Sequence, residues 1–382
     1  MIRLAVPSID ERDLQAVREV LATGFLVQGK HVAAFEAEIA RYVGCEHAVA
    51  VSNCTAALQL ALLALGVGPG DKVAVTTYSW PATANVIILC GAEPVFVDIE
   101  AESFNMDSAA LERVLQRERI KVVLPVHTFG SMADMPRILE LAARHGAVVV
   151  EDAACALGSE LDGRRAGSWG VMGCFSFHPR KAITTGEGGM ITTNDAKLAR
   201  QLRALRNHGL DPDSATPDFI MPGYNMRLTE FQAAMGLTQF AKLDRIIGSR
   251  RSQAAAYATL FAGSGIVPSR EAPGSRHVFQ SFVVLLPADA AARRAEIIAS
   301  LKRADIETTI GTYHMPMTTF FRQRGRHVEG EFPVTDDVAR RAMSLPVYEA
   351  LSLDSQQTVV RALIEQVRKW TIGHSSQFAH SP

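Results

Sequence analysis

The first half of the chain alternates short apolar runs with amphipathic stretches. The apolar runs, which begin near residue 47, are HAVAVS, KVAVTT, EPVFVDI, KVVLPVH and AVVVED. They are rich in β-branched residues and apolar at nearly every position, which is typical of strands buried on both faces of a sheet. Helical patterns separate them, at 55–65, 81–90, SAALERVLQR and MPRILELAARHG. The rhythm predicts an α/β fold with a mainly parallel sheet covered by helices on both faces.

Beyond Asp152 the regular alternation of apolar runs and helical patterns ends. VMGCFSF and GGMITTN continue as strands joined by a polar, Gly-rich connection, and DAKLARQLRALRNHG follows as an amphipathic helix. We expect a large domain over residues 1–245, although its N-terminal segment 1–25 can pack on the second domain. Residues 246–382, with SFVVLLP, a helix near 292–303 and AMSLPVYEALS, predict a smaller α+β domain. The polar stretch 210–223 is interpreted as a loop and the final SSQFAHSP as a mobile tail.

Composition narrows the function classes. A chain of 382 residues is long enough for two or three domains, and its formal net charge of -1 gives no general attraction to nucleic acid. The start carries acidic residues where a secretory signal needs apolar ones, and no run is long enough to span a bilayer, so a cytoplasmic location is expected. The cysteines are odd in number and widely spaced, which indicates neither a disulfide framework nor a metal site: Cys45, Cys54, Cys90, Cys155 and Cys174.

Polar residues that follow buried strands are the candidates for chemistry, because open parallel sheets bind ligands beyond the carboxyl ends of their strands. The first group is Ser52 to Thr55, where a strand leads into a helix. Unpaired N–H groups at a helix start suit a phosphate, but Ser and Thr are also ordinary helix caps, and both interpretations stay open.

Two further groups carry charge. Adjacent carboxylates at Glu151 and Asp152 end a run of valines, where an acid is costly unless it meets a cation or several donors. They could serve as a metal ligand or a helix cap as well. Lys181 lies between apolar β sequence and GEGG, close to Ser176 and His178, which sets it apart from ordinary solvated lysines.

The fourth group offers aromatic rings at Tyr78 and Trp80, just after a strand, either as core or as a stacking face. Together the four groups provide a phosphate cradle, a carboxylate for a ring cation, an amine for a Schiff base and a flat stacking face. Pyridoxal phosphate requires these groups.

Several longer motifs follow one another along the chain and together match the pattern of a known family. It resembles the DegT/DnrJ/EryC1/StrS group of sugar aminotransferases, fold-type I pyridoxal-phosphate enzymes, over nearly the whole chain. The motifs are GKHVAAFEAEIARYVG, VAVSNCTAALQLALLALGVGPGDKV, the EDAA run, SFHPRK with GEGG, LRNHG and GYNMRLTEFQAA. The resemblance implies a large, seven-stranded type of sheet domain and a smaller C-terminal domain.

The resemblance also implies roles for single residues. Lys181 would carry the cofactor as a Schiff base, and Asp152 would pair with the pyridinium nitrogen. The other cofactor contacts would be the stacking Trp80, the phosphate ligands Thr55, Ala56 and Ser176, and Asn225 from the neighbouring subunit of a homodimer with shared active sites. Cys155 departs from the pattern, since relatives commonly have Gln or His at this position beside the cofactor's 3-hydroxyl group.

By the same resemblance, the activity would be transfer of an amino group from glutamate to a nucleotide-linked keto-sugar, in nucleotide-sugar and polysaccharide biosynthesis. Tyr313 and His314 are candidates for the sugar side, although a structural role in the loop is the stronger interpretation of His314. Two alternatives stay open. One is amination of a cyclitol or another ketone, and the other is a regulatory protein that keeps the cofactor without turnover.

Overall fold

The computed structural model describes residues 1–371, and the predicted tail SSQFAHSP lies outside them. The strands are β1 (His47–Val51), β2 (Lys72–Thr76), β3 (Tyr78–Ser79), β4 (Glu93–Val97), β5 (Val122–Leu124), β6 (Val148–Asp152), β7 (Glu160–Leu161), β8 (Arg164–Arg165), β9 (Met172–Ser176), β10 (Gly189–Thr193), β11 (Val267–Pro268), β12 (Ser275–Arg276), β13 (Phe282–Leu285), β14 (Thr309–Ile310), β15 (Tyr313–His314) and β16 (Ala342–Leu345). The helices are α1 (Glu11–Thr23), α2 (Lys30–Val43), α3 (Cys54–Ala64), α4 (Ala82–Leu89), α5 (Ser108–Arg117), α6 (Met135–Arg144), α7 (Ala196–Leu205), α8 (Glu230–Phe240), α9 (Leu243–Leu260), α10 (Ala288–Ala291), α11 (Arg294–Arg303), α12 (Thr319–Gly325), α13 (Pro333–Arg341) and α14 (Leu353–Thr371).

A seven-stranded sheet organises the larger part of the described chain. Its strand order is β1-β10-β9-β6-β5-β2-β4. The pairs from β9 through β4 are parallel, whereas β10 runs antiparallel to both of its neighbours. The seven strands are the seven apolar runs, so the predicted α/β class and the mainly parallel sheet are confirmed.

Alternation along each strand divides the core between the two faces of this sheet. On β2, Ala74 packs with one layer while Val73 and Val75 pack with the other. The first layer includes helices α2, α5, α6 and α8, and the second includes α3, α4 and α7. Helix α3 is apolar on nearly every side because it lies between the sheet and α4 and α7. The two layers fix the carboxyl ends of the parallel strands relative to one another.

The C-terminal part is built on a second sheet, with the order β11-β13-β16-β14 and antiparallel pairing throughout. Helices α9, α11 and α14 cover it. The first residues of the chain reach this part, since Ile2 pairs with Ile306 and Leu4 accepts a hydrogen bond from the backbone of Val347. Helix α1 packs instead on α8. The division at residue 245, which stays a prediction, falls inside the continuous helix α9.

Several elements are absent from the predicted pattern because they are very short. Strands β3 and β15 pair over two residues each and link the segment after β2 to the C-terminal part. The β7 and β8 hairpin pairs with β12 in the same way. Within residues 1–371, none of the helices is both long and apolar enough to span a membrane.

Close backbone packing at Gly173 gives a stability prediction. A Cβ at this position on β9 would lie 2.3 Å from the Cα of Gly167, so Gly173→Ala forces the sheet and the neighbouring loop apart. We expect a loss of about 1–3 kcal/mol, typical of overpacked cores, seen as a lower thermal unfolding midpoint.

Gly248→Ala is the matched control. This glycine lies in α9, and a Cβ there meets no atom within 4 Å. Alanine favours helix, so the control should be neutral or gain up to about 1 kcal/mol. Equal midpoints for the two variants would contradict the packing argument.

Candidate active site

The carboxyl edge of the large sheet brings together residues that are far apart in the sequence. Asp152 ends β6, Ser176 ends β9, and the turn after β9 carries Lys181. The Lys181 Nζ donates to Cys155 Sγ at 3.0 Å. Of the predicted residues, Lys181, Asp152, Cys155 and Ser176 therefore lie around this one edge.

Asp152 is buried, with 3% of its surface exposed. Its Oδ1 accepts from the Ala154 backbone N–H at 3.1 Å, and its Oδ2 accepts from Thr83 Oγ1 at 2.8 Å. Burial raises the pKa of the Asp152 carboxyl, and the two hydrogen bonds act in the opposite direction without cancelling it. A carboxylate in this setting gains from any further donor or cation that reaches it.

Glu151 points to the other face of the sheet and has a different role. Its oxygens accept from the backbone N–H groups of Gly167, Trp169 and Gly170, and one of them lies 2.9 Å from His127 Nε2. Because His127 Nδ1 accepts from the Ala133 backbone, Nε2 carries the proton toward Glu151. Glu151 therefore fixes the loop before β9, which gives the two adjacent acids separate roles.

The turn that carries Lys181 is held by hydrogen bonds on both of its sides. The Lys181 N–H donates to the His178 carbonyl, and its own carbonyl accepts from Arg250 Nη2 at 3.4 Å. Gln280 Nε2 donates to the Arg180 carbonyl next to it. The turn is thus fixed to α9 and to the segment before β13.

The charge state of Lys181 depends on its neighbours. Burial lowers the pKa of Lys181, whereas the contact with the Cys155 sulfur and the nearby Asp152 carboxylate raise it, and the net direction is upward. These contacts favour the protonated form of the amine. Reaction with an aldehyde requires that this proton leave first.

The start of α3, where the sequence predicts a phosphate site, is capped by Asn53. The Asn53 Oδ1 accepts from the Ala56 backbone N–H at 2.8 Å. Thr55 is exposed in the first turn. A Cβ on Gly189 would lie 2.5 Å from the Asn53 backbone, so this glycine of GEGG allows β10 to approach the helix start. Thr55 is accessible to a phosphate, while the Ala56 N–H already has a partner in Asn53.

The two aromatic candidates differ in exposure. Tyr78 is fully buried between Phe104 and Phe129, whereas Trp80 is 62% exposed. Trp80 meets the ring of Tyr313 edge to face, with centroids 5.4 Å apart. The geometry therefore assigns Tyr78 to the core and leaves the face of Trp80 accessible.

The pairing of β15 with β3 brings Tyr313 and His314 next to this site. Tyr313 lies opposite Ser79 and His314 opposite Tyr78. His314 is turned away, with Nε2 3.1 Å from Asp336 Oδ1, and burial lowers its pKa. This supports the structural interpretation of His314, whereas Tyr313 stays exposed beside Trp80.

The LRNHG and GYNMR motifs pack against each other. Asn207 pairs with Asn225, and a Cβ on Gly223 would lie 2.1 Å from the Gly209 backbone nitrogen, so both glycines are required by close packing. The Met226 carbonyl accepts from the Ser52 N–H near the start of α3. Asn225 itself is exposed.

Three residues around the site do not stand out in the sequence: Thr83, Arg250 and Gln280. Thr83 follows Trp80 in WPATAN, where its polar side chain on a helix of mostly apolar residues is the available signal. Arg250 and Gln280 reach the site only through tertiary folding and carry no local signal.

A scan against family models matches the DegT/DnrJ/EryC1/StrS aminotransferase family over residues 7–364. The chain belongs to this family. Fold-type I architecture and aminotransferase activity follow from the membership.

Individual members of the family are similar over most of their length. A GDP-perosamine synthase of Caulobacter vibrioides is 40% identical over 310 residues, which cover 80% of this chain and 83% of the relative. A pleiotropic regulatory protein of Geobacillus stearothermophilus is 38% identical over 93% of this chain and 94% of its own. The structure of Spr1654, described as a sugar aminotransferase of Streptococcus pneumoniae, in its PMP-form, superposes with a TM-score of 0.92 at 26% identity, covering 97% of this chain and 100% of the other.

DegT/DnrJ/EryC1/StrS aminotransferases depend on pyridoxal phosphate, and the residues of this chain fit that cofactor. The Lys181 amine, the buried Asp152 carboxylate and the start of α3 lie on one edge of the sheet. An aldehyde, a pyridinium nitrogen and a phosphate are the groups that such donors and acceptors match.

Cys155 generates a spectroscopic prediction for this family member. A thiol is a weak donor, so Cys155→Gln places a stronger amide donor beside Lys181. We expect the cofactor to be retained and its visible absorption band, with the pH dependence of that band, to shift. Cys45→Ala, at a half-buried cysteine whose Sγ contacts the Gly167 carbonyl, should leave the spectrum unchanged. An unshifted spectrum for Cys155→Gln would make Cys155 a packing residue.

Proposed function

We propose that this aminotransferase moves an amino group from glutamate to a nucleotide-linked keto-sugar. One observation supports a catalytically active enzyme. Lys181 Nζ contacts Cys155 at 3.0 Å, on the same edge of the sheet as the buried Asp152. The name of the GDP-perosamine synthase, at 40% identity, supports a nucleotide-linked sugar as the acceptor.

Pyridoxal phosphate, when bound, supplies an electron sink for the carbon that loses a proton. The Lys181 amine moves that proton: its Nζ takes the proton from the carbon bearing the amino group and later returns it as a general acid. Asp152 favours the proton on the pyridine nitrogen, because a buried carboxylate gains from a charged donor. Each residue thus has one role: Lys181 moves the proton of the carbon that bears the amino group, and Asp152 keeps the proton on the pyridine nitrogen.

The remaining contacts would orient the cofactor. Thr55 and Ser176 offer hydroxyl groups at the helix start and at the end of β9, and the α3 dipole favours the phosphate charge. Trp80 supplies a ring face for stacking. Asn225 would reach the phosphate of the partner subunit in a homodimer, and its exposure leaves it available for such a contact.

The sugar side would lie along Trp80 and Tyr313, whose rings meet at the outer end of the site. Amination of a cyclitol or another ketone uses the same residues, so the acceptor must be identified by assay. A regulatory protein without turnover is the second alternative, and the name of the Geobacillus stearothermophilus relative points in that direction. The presence of both Lys181 and Asp152 favours catalysis.

The test begins with the half-reaction. We expect the protein loaded with pyridoxal phosphate to convert glutamate to 2-oxoglutarate, about one molecule per site, and then to aminate a keto-sugar linked to GDP or UDP. Product formation is measured by mass spectrometry against free keto-sugars and cyclitol ketones at the same concentration. A silent regulator gives no 2-oxoglutarate, and preference for a free ketone rejects the nucleotide-linked acceptor.

Lys181→Ala should lower the half-reaction rate by about 10²–10⁴-fold, the usual effect of removing a general acid or base. Borohydride reduction of the wild-type protein should attach the cofactor permanently to the peptide that contains Lys181. Lys197→Ala, at the start of α7, is the control and should keep both the rate and the label. A label on a different lysine would show that the assignment is wrong.

The shared site is tested by mixing two inactive variants. In a mixed dimer, one chain carries Lys181→Ala and the other carries Asn225→Ala. If each site takes Lys181 from one chain and Asn225 from the other, one site of the mixed dimer has both substitutions and the other has neither. Random pairing makes about half of the dimers mixed, so about a quarter of wild-type activity should return. If Asn225 acts within its own chain, every site keeps a lesion, and confirmed mixed dimers stay inactive.

A further inference from the structure

A chain of two buried hydroxyl groups leads to the Asp152 carboxylate. Ser79 Oγ lies 3.1 Å from Thr83 Oγ1, and Thr83 Oγ1 lies 2.8 Å from Asp152 Oδ2. The exposed fractions of Ser79, Thr83 and Asp152 are 5%, 2% and 3%. The shielding from solvent means that these contacts determine how the carboxylate is hydrogen bonded.

The directions of these hydrogen bonds follow from counting protons. An ionised carboxylate can only accept, so Thr83 must donate its single hydroxyl proton to Asp152. The Thr83 oxygen still has lone pairs, and Ser79 can donate to it. The Trp80 carbonyl, 3.1 Å from Thr83 Oγ1, already accepts from the Thr83 backbone N–H. The chain therefore runs from Ser79 through Thr83 to Asp152.

We propose that Thr83 is a positioning residue: its hydroxyl keeps Asp152 ionised and fixed as the acceptor for the ring N–H of the cofactor. Asp152 accepts from the Ala154 backbone and from the Thr83 hydroxyl, so among the described residues Thr83 is the side chain that donates a hydrogen bond to it, while the nearby Lys181 charge also favours its ionised form. Without that donor, the buried carboxylate takes up a proton or rotates more easily. Thr83 acts through Asp152 and so rests on the role proposed for that residue.

Thr83 also limits where the stacking residue can lie. Its N–H and hydroxyl both approach the Trp80 carbonyl, and Ser79 lies opposite Tyr313 in the β3 and β15 pair. The Thr83 backbone N–H, and not its hydroxyl, bonds to the Trp80 carbonyl, so the backbone that carries Trp80 fixes the main chain from which the Thr83 hydroxyl reaches Asp152. A restricted donor orients the carboxylate better than a freely rotating one.

The test compares two cofactors in reconstitution of the protein stripped of cofactor. One is pyridoxal phosphate, and the other is its analogue with a C–H in place of the pyridine nitrogen. Thr83→Val keeps the shape but removes the donor, and it should weaken binding of pyridoxal phosphate about tenfold, the effect of losing a hydrogen bond to a charged group. Binding of the analogue, which has no ring N–H for Asp152, should change by less than about twofold.

Three further variants make the result decisive. Thr83→Ser should restore binding of pyridoxal phosphate, because it returns the hydroxyl. Ser79→Ala removes only the second donor and should give a smaller loss in the same direction. Thr192→Val is the matched control, since Thr192 is buried but its hydroxyl donates to the Gly167 carbonyl. It should affect neither cofactor, and its unfolding midpoint gives the general cost of losing a buried threonine hydroxyl.

Two results would overturn the proposal. Equal weakening of both cofactors by Thr83→Val means that Thr83 only shapes the pocket, and no weakening of either means that Asp152 does not depend on it. If Thr83→Val does not fold, a Ser79→Ala protein that binds both cofactors with unchanged preference overturns the proposal in the same way. Asp152→Asn tests the role of Asp152, on which this proposal rests. If Asp152→Asn also changes the binding of both cofactors equally, the role proposed for Asp152 itself is wrong.

Discussion

Two carboxylates that end one buried strand constrain the rest of the structure. Side chains alternate along β6, so Glu151 and Asp152 enter opposite faces of the large sheet, and both are withdrawn from water. Each must find donors within the protein, because an unpaired buried carboxylate would be protonated or would destabilise the fold. Glu151 meets three backbone N–H groups and His127, whereas Asp152 meets Thr83 and Ala154.

The two carboxylates differ in how fully donors of the protein satisfy them. Glu151 is surrounded by donors, and the loop that provides them packs so closely that a Cβ on Gly173 would collide with Gly167. Asp152 has fewer donors and keeps a raised pKa, so a cationic ring nitrogen would still stabilise its charge. Glu151 thus ties β6 to the loop before β9, while Asp152 on the other face can still accept from a further donor.

Local periodicity is sufficient to predict the large sheet, because each strand is a continuous apolar run and each crossover helix is amphipathic. Asp152 at the end of β6 and Lys181 in the turn after β9 follow two of these apolar runs, and both stay predictions as site residues. Contacts made by two-residue strands cannot be predicted, so the approach of Tyr313 to Trp80 becomes visible only in the fold. The sequence also does not single out Asn53 from its neighbours as the helix cap, since the choice of cap depends on backbone angles that sequence does not specify.

Exposure of apolar side chains around Asn225 bears on the proposed dimer. Tyr224 is 40% exposed and Phe219 65%, and both belong to the segment that follows the LRNHG motif. Phe25, near the end of α1, is 78% exposed. Where exposed apolar side chains form a contiguous patch, that patch often marks a surface on which another chain binds. Burying them against a second copy would also place the exposed Asn225 in an interface, so the hydrophobic gain and the proposed phosphate contact would come from the same association.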